Sequence, residues 1–125
     1  MSKHHTKNWI RKDKRLAIYM RDGMACAYCG KGVDDEGTRL SLDHLVCRSH
    51  GGSNMEGNLI TCCLSCNSSR ADTLLADWLI LKCGNNAAAT ARYITSHTGL
   101  DLKPFRKEAK LILARRKAEQ ASRGK

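Results

Sequence analysis

The sequence predicts a small α+β domain whose core is held together by a bound metal ion. Two Cys-x-x-Cys pairs are present, and the second begins 34 residues after the first ends. Between them, residues 38–45 alternate apolar and polar side chains, which is the pattern of a half-buried β-strand. Apolar residues recur at helical spacing outside this segment. One Phe, three Tyr and two Trp in 125 residues leave little aromatic packing. We therefore expect a bound metal ion or disulfide bonds to stabilise the fold.

The N-terminal half combines a basic helix with polar loops. Residues 1–7 predict a flexible basic arm, and residues 8–21 predict a moderately amphipathic helix that ends at Gly23. Residues 47–57 are rich in Gly, Ser and Asn and predict a loop after the strand.

The remainder of the chain predicts helices. From about residue 64 to residue 84, apolar side chains recur at i, i+3 and i+4. A third helix is expected to follow a cap at Asn85 or Asn86 and to close at Gly99, and Pro104 is expected to open a basic final helix. We therefore divide the chain into the arm, a core with its N-terminal helix (8–84) and a basic helical extension (85–125).

The positive charge is concentrated at the two ends. The formal net charge is +10, and residues 1–21 and 103–125 carry seven and nine Lys/Arg against one and two acidic residues. Residues 22–102 carry more acidic than basic residues. This distribution indicates a polyanionic partner held at the edges of the molecule. The alternative is that basic ends only keep a small protein in solution.

No stretch is apolar enough to span a membrane, and the polar, basic start does not resemble a secretory signal. We therefore expect no membrane partner and a location in a reducing cytoplasm. In that compartment Cys-x-x-Cys pairs favour metal binding over disulfides.

The two cysteine pairs, Cys26/Cys29 and Cys63/Cys66, are expected to bind one structural ion. A two-residue gap in a tight turn lets two thiolates bind the same ion, and two such corners complete a closed tetrahedral site. Zn²⁺ is the expected ion, with iron as the alternative. Structural zinc contributes roughly 10–16 kcal/mol in zinc-finger peptides, which would stabilise a polar loop around a weak core.

The other three cysteines are not expected to bind metal. Cys62 offers a rival spacing to Cys66, but Cys63 repeats the two-residue gap of the first pair, so Cys62 should face the core. Cys47 and Cys83 are expected to be small buried apolar groups.

A closed metal site leaves the chemistry to another centre, for which Asp43 and His44 are candidates. They are adjacent on the predicted strand, so their side chains point to opposite faces. Taken alone, this dipeptide indicates little about function. However, the stretches RDGMACAYCG, LDH, GGSNMEGNL and CCLSCNSSR, within about residues 15–72, resemble the HNH nucleases, a ββα-metal family of treble-clef shape. The separations of 14 residues from His44 to Asn58 and 9 residues from Asn58 to Asn67 suit that family.

The resemblance implies a role for four residues. His44 matches the first His of the motif, the general base, and Asn58 matches the middle Asn, which orients that His. Asn67 matches the last position, where this chain has Asn instead of His. Asp43 and Asn67 would hold one divalent ion. A carboxylate and an amide oxygen suit Mg²⁺ or Mn²⁺, with Ni²⁺ as a further candidate.

Four further positions near the motif lie outside this catalytic set. Cys47 stands where the family often has Pro, but this departure removes no catalytic group. Arg48 and Arg70 are expected to contact phosphate, since a guanidinium binds phosphate bidentately; either could instead be a solvated Arg. Asn54 is expected to be a turn residue.

We expect a metal-dependent endonuclease that hydrolyses phosphodiester bonds in DNA with little sequence specificity. An unperturbed His titrates near pH ~6.5 and can accept a proton from water near neutrality. A non-catalytic zinc-finger module and an RNA-directed nuclease are the alternatives, although a pure binder would not need the whole motif. By analogy with small phage-encoded or mobile-element HNH nucleases, a terminase is a candidate partner, and a bacterial or phage-infected cell is the expected host.

Overall fold

A computed structural model describes residues 10–124 of the chain. The predicted basic arm, residues 1–7, lies outside the described residues. The helices and strands are α1 (Lys12–Arg21), β1 (Leu40–His44), β2 (Leu59–Cys63), α2 (Leu64–Arg70), α3 (Leu75–Cys83), α4 (Ala87–Thr98) and α5 (Lys103–Arg123). The α+β class is therefore confirmed, and β1, β2 and α2 form the ββα unit that the resemblance implied.

The sheet consists of β1 and β2 in antiparallel pairing, with Leu40 opposite Cys63 and His44 opposite Leu59. The residue pattern by itself predicts only β1. All five residues of β2 are buried, and a strand that is covered on both faces shows an apolar run instead of an alternation.

Two hydrophobic clusters cover the two faces of the sheet. Leu42 and Leu59 pack with α1 and α5, whereas Ile60 and Cys62 pack with α3 and α4. The adjacent residues Leu59 and Ile60 belong to different clusters because successive strand residues point to opposite faces. The two strands thus separate the two clusters.

A buried ion pair fastens α1 to β2. Arg21 and Asp22 have fully buried side chains, with Arg21 Nε 2.7 Å from Asp22 Oδ1. Arg21 also donates to the Leu59 carbonyl oxygen at 2.6 Å, and Asp22 Oδ2 accepts from the Thr61 amide at 2.9 Å. The end of the helix is therefore fixed against the middle of the sheet.

The region expected to be helical up to residue 84 contains two helices. Between α2 and α3, Ala71 has a positive φ of 49°, which a continuous helix does not permit. Arg70 Nε donates to the Thr73 carbonyl oxygen at 3.0 Å across this turn. The turn thus lets the Arg70 side chain cap a backbone carbonyl of the connection.

The last two helices begin and end close to the predicted residues. α4 ends before Gly99, and α5 carries Pro104 in its first turn. Ile94 of α4 and Ala109 of α5 are each buried in one of the two clusters. The predicted extension therefore packs against the core over its first half. Residues 114–123, the second half of α5, are all exposed.

No helix within residues 10–124 is long and apolar enough to cross a membrane.

Candidate active site and metal centre

The four cysteines of the two Cys-x-x-Cys pairs meet at one corner. Their sulfur atoms all lie within 4.8 Å of one another, and Cys29 is the exposed member of the group. The Cys29 and Cys63 sulfur atoms are 3.7 Å apart. A tetrahedral zinc site with Zn–S bonds of about 2.3 Å places its sulfur atoms about 3.8 Å apart. The arrangement therefore fits a closed Cys₄ zinc site.

Backbone amides point at the first thiol of each pair. The amides of Tyr28 and Cys29 donate to Cys26 Sγ, and the Cys66 amide donates to Cys63 Sγ, all at 3.4 Å. Burial by itself raises the pKa of the Cys63 thiol, but the hydrogen bonds from Cys66 bring that pKa below its ordinary value. Since thiolates are the form that binds metal, these hydrogen bonds favour the metal-binding form of Cys63, whereas burial raises the pKa of Cys26 and Cys66.

The structure places the other cysteine sulfurs away from this corner. Cys62 is fully buried, and its Sγ lies 3.8 Å from the Ser41 carbonyl oxygen. Burial, and next the charge of Asp43, raise the pKa of the Cys62 thiol, so this side chain is a neutral core group. Cys47 is buried and Cys83 is half-buried.

Side chains from two helices close the open edge of β1. Alternate residues of β1 direct their carbonyl oxygens away from β2, and each of these oxygens accepts a hydrogen bond from a side chain of α1 or α2. These bonds are Tyr19 Oη to Leu40 O (3.3 Å), Asn67 Nδ2 to Leu42 O (3.1 Å) and Arg70 Nη1 to His44 O (2.8 Å). Asp43, His44 and Asn67, three of the four candidate catalytic residues, lie along this edge.

Asp43 is buried and held through one of its two carboxylate oxygens. Oδ2 accepts hydrogen bonds from the Tyr28 hydroxyl and from Arg70 Nη1, the latter at 2.5 Å. Burial, and next the charge of Asp43, raise the pKa of Tyr28, so the phenol remains a donor. Within residues 10–124, Oδ1 receives no hydrogen bond, and this oxygen is available to an ion.

Asn67 is held against the same face of β1. Its Nδ2 donates to Ser41 Oγ at 3.0 Å in addition to Leu42 O. Ser41 and Asp43 are two residues apart on the strand, so their side chains share a face. With Nδ2 occupied, the amide oxygen of Asn67 is the remaining ligand atom. The two predicted oxygen ligands thus lie on the same face of β1, and their chemistry fits a hard divalent ion.

His44 extends from the opposite face of β1 and is half-buried. Its Nε2 lies 2.7 Å from Oδ1 of Asn54, which the sequence pattern marks only as a turn residue. The Asn54 carbonyl oxygen in turn accepts a hydrogen bond from Lys14 Nζ at 2.7 Å. Sequence spacing gives no signal for this contact, because the loop between the strands brings Asn54 back to His44.

Asn58 stabilises the loop between the strands. Its Oδ1 accepts from the Val46 amide at 2.8 Å, while Nδ2 donates to the carbonyl oxygens of Val46 at 3.1 Å and Ser53 at 2.8 Å. Its side chain thus orients the backbone that carries Asn54, whereas Asn54 itself contacts the His44 ring. The resemblance had assigned orientation of His44 to Asn58.

The two arginines expected to contact phosphate lie in different environments. Arg70 is only 1% exposed and donates to Asp43, to Thr73 O and to the carbonyl oxygens of His44 and Leu45, the last two at 2.8 Å. This placement argues against a phosphate contact by Arg70, because its donors are directed at protein acceptors. Arg48 is exposed in the loop, and its contact with phosphate stays a prediction.

Residues 26–73 match the family model of the HNH endonucleases. This segment belongs to the HNH endonuclease family. It contains both cysteine pairs together with Asp43, His44, Asn58 and Asn67, so the HNH segment includes the candidate metal centre and the candidate active site.

Two relatives also carry an endonuclease name. The chain is 39% identical over 71 residues to the CRISPR-associated endonuclease Cas9 of Actinomyces naeslundii and 29% identical over 110 residues to that of Corynebacterium diphtheriae. These matches cover 56% and 81% of the chain but only 6% and 10% of the relatives. No solved structure matches the chain significantly.

The replacement Cys63→Ser is expected to abolish zinc binding and to unfold or aggregate the protein. The free energy of binding structural zinc is also free energy of folding, so the HNH segment depends on all four ligands. The adjacent replacement Cys62→Ser is the control and should keep the metal. Elemental analysis and circular dichroism of both purified variants would test this. Metal loss from Cys62→Ser, with metal retained by Cys63→Ser, would overturn the ligand assignment.

The replacement Gly52→Ala is expected to lower the free energy of unfolding by about 1–3 kcal/mol, as overpacking does. A Cβ atom at Gly52 would lie 1.6 Å from the Val46 carbonyl oxygen, so the loop of the HNH segment must move. Gly57→Ala is the matched control, because a Cβ there meets no atom within 4 Å. Urea unfolding of both variants measures the difference. Equal stabilities would show that the loop relaxes without strain.

Proposed function

We propose that this chain is a metal-dependent endonuclease that hydrolyses phosphodiester bonds in DNA. One observation supports the proposal above others: Asp43, His44 and Asn67 stand on the two sides of one open strand edge, each held by a specific hydrogen bond. A phosphate at this edge would have a candidate base on one side and two oxygen ligands on the other.

Asp43 Oδ1 and the Asn67 amide oxygen would hold one divalent ion, with Mg²⁺ or Mn²⁺ preferred and Ni²⁺ as a further candidate. When bound, such an ion stabilises negative charge on phosphate and leaving-group oxygens. Arg70 and Tyr28 act on the other carboxylate oxygen of Asp43 and keep it in place. Because only two protein groups bind the ion, it would exchange far more readily than zinc at the four thiolates.

His44 is the proposed general base, and Asn54 is the proposed positioning residue. The Asn54 side-chain oxygen accepts hydrogen bonds and cannot donate them, so the neighbouring Nε2 of His44 carries a proton. Nδ1 is then the unprotonated nitrogen that accepts the proton of the attacking water. Lys14, through the Asn54 backbone, links this arrangement to α1.

A nucleic-acid substrate is supported by three observations. These are the HNH segment, the endonuclease names of the relatives and the net charge of +10. We favour DNA over RNA as the substrate. It stays a prediction that a terminase is a partner and that the protein lies in the cytoplasm. A module that only binds nucleic acid would need the cysteine corner, but it would not need oriented Asp43, His44 and Asn67 side chains.

The replacement His44→Ala is expected to reduce the cleavage rate by roughly 10²–10⁴, the usual contribution of a positioned general base. DNA affinity and thermal stability should change little, because the base adds rate and not binding. His50→Ala is the control, since His50 is exposed in the loop that follows β1. Plasmid cleavage with Mg²⁺, Mn²⁺ or Ni²⁺ measures the rate. Mild EDTA should stop cleavage without removing the structural zinc. A protein with full zinc content that binds DNA but cleaves neither DNA nor RNA would be a binding module.

The replacements Asn54→Ala and Asn54→Asp are expected to distinguish a role of Asn54 in positioning His44 from a role in folding. Loss of one hydrogen bond, worth about 1–1.5 kcal/mol, should reduce kcat in Asn54→Ala by about tenfold. In Asn54→Asp the new carboxylate stabilises the charged imidazolium. The acid limb of the pH–rate profile should therefore move to higher pH. Rate measurements from pH 5 to 9 test this, and an unmoved profile in Asn54→Asp would contradict contact with the catalytic base.

A further inference from the structure

A groove lined by cations lies beside the start of β1. Its volume is about 480 Å³, and Lys12, Arg15, Arg39 and Arg116 contribute its positive charges. These cations come from α1, from the residue before β1 and from α5, so the groove exists only in the folded chain. No acidic residue is among those that line it.

The four cations have no acidic partners within the part of the chain that the structure describes. The ion pairs found there use Lys14, Arg21, Arg70 and Arg106 instead. Arg15 donates a hydrogen bond to the Tyr19 hydroxyl at 3.2 Å, which leaves its charge uncompensated. Four converging positive charges repel one another, and a polyanion in the groove would relieve that repulsion.

The groove and the candidate base share one face of β1. Leu40 lines the groove, and His44 lies four residues further along the strand, so both side chains point to the same side. Four residues of strand extend about 13 Å. The same helix borders both places, since Arg15 lines the groove while Lys14 contacts Asn54 beside His44.

Apolar side chains also line the groove. Leu16, Val33 and Leu113 contribute to it, and Val33 is 51% exposed. A groove lined by both cations and apolar side chains matches a nucleic-acid strand, which presents phosphates at its outside and the carbon atoms of its sugars between them.

We propose that this groove binds the sugar–phosphate backbone of the DNA substrate about four nucleotides from the cleaved phosphate. The estimate follows from the 13 Å strand distance and the axial rise of about 3.4 Å per nucleotide. Binding of DNA in the groove rests on the charges and shape described above. Only the position of the groove relative to the cut rests on the proposed function.

The test compares two double variants in a His44→Ala background, so that DNA is bound but not cut. Arg39→Gln with Arg116→Gln removes two groove cations. The control, Lys82→Gln with Arg92→Gln, removes two exposed cations from α3 and α4, which pack on the other face of the sheet. Both doubles change the net charge equally. Fluorescence anisotropy with a short duplex at several salt concentrations gives the affinity and its salt dependence.

The groove double variant is expected to bind about tenfold more weakly at about 0.1 M salt, with a log K against log salt slope shallower by up to about 1.8, or about 0.9 per lost phosphate contact. The control should keep the parental slope, and Arg39→Lys with Arg116→Lys should also keep it. Equal losses in the groove and control variants would show that net charge alone drives binding and would overturn the proposal. If the groove replacements weakened binding of RNA but not of DNA, the assignment of DNA as the bound strand would be overturned.

Failure of the groove and failure of the proposed activity are distinguishable. The binding measurements involve no cleavage, so a groove-dependent salt slope would support the groove even if the parental chain cut no DNA. A chain that cleaves DNA normally but shows the same salt slope in both double variants would keep the proposed function and lose the groove.

Discussion

A two-stranded sheet leaves one edge of each strand without a partner, and the open edge of β1 organises this molecule. Its outward carbonyl oxygens accept hydrogen bonds from Tyr19, Asn67 and Arg70. A buried polar group without a partner costs about 1–3 kcal/mol, so α1 and α2 are constrained to lie where these side chains reach the strand. The positions of the candidate catalytic groups follow from that constraint. Asn67 is itself one of these groups and bonds to the edge, and Arg70 bonds to the edge and also holds the Asp43 carboxylate.

Arg70 shows how structural and chemical roles are joined. It compensates the buried Asp43 and binds the carbonyl oxygens of His44 and Leu45. Removing one partner of a buried ion pair is strongly destabilising, since the other charge is left without compensation. The ion pair therefore ties the candidate ion ligand to the backbone of the candidate base. Orientation of the site and stability of the ββα unit depend on the same side chain.

Features that depend on local chemistry were predictable from the sequence. Gly99 and Pro104 bound the last two helices because their backbone preferences act within one turn, and Cys-x-x-Cys spacing predicts the metal corner because two thiols in a tight turn approach one point. The family resemblance identified Asp43, His44 and Asn67, whose positions in the structure are compatible with the proposed roles. β2 could not be recognised by alternation, since both of its faces are covered.

Features that depend on distant contacts were not predictable. The contact between His44 and Asn54 requires closure of a loop, and the burial of Arg70 requires Asp43, 27 residues away, as its partner. An arginine three residues after Asn67 resembles a phosphate ligand in sequence, and only the packing of α2 against β1 directs it inwards. Long-range polar pairing is the information that residue patterns lack.

The second half of α5 has a consequence for how the molecule meets a charged partner. Residues 114–123 are exposed, and at 1.5 Å per residue they extend about 15 Å beyond the packed part of the helix. Electrostatic fields in physiological salt decay over about 8 Å, so charges on the body of the protein act only at short range. The end of the exposed half places Arg123 beyond that distance, whereas Arg115 and Lys117 remain within it. The extended helix therefore lets the protein attract a charged partner from farther away than the charges on its body allow, because solvent screens those charges.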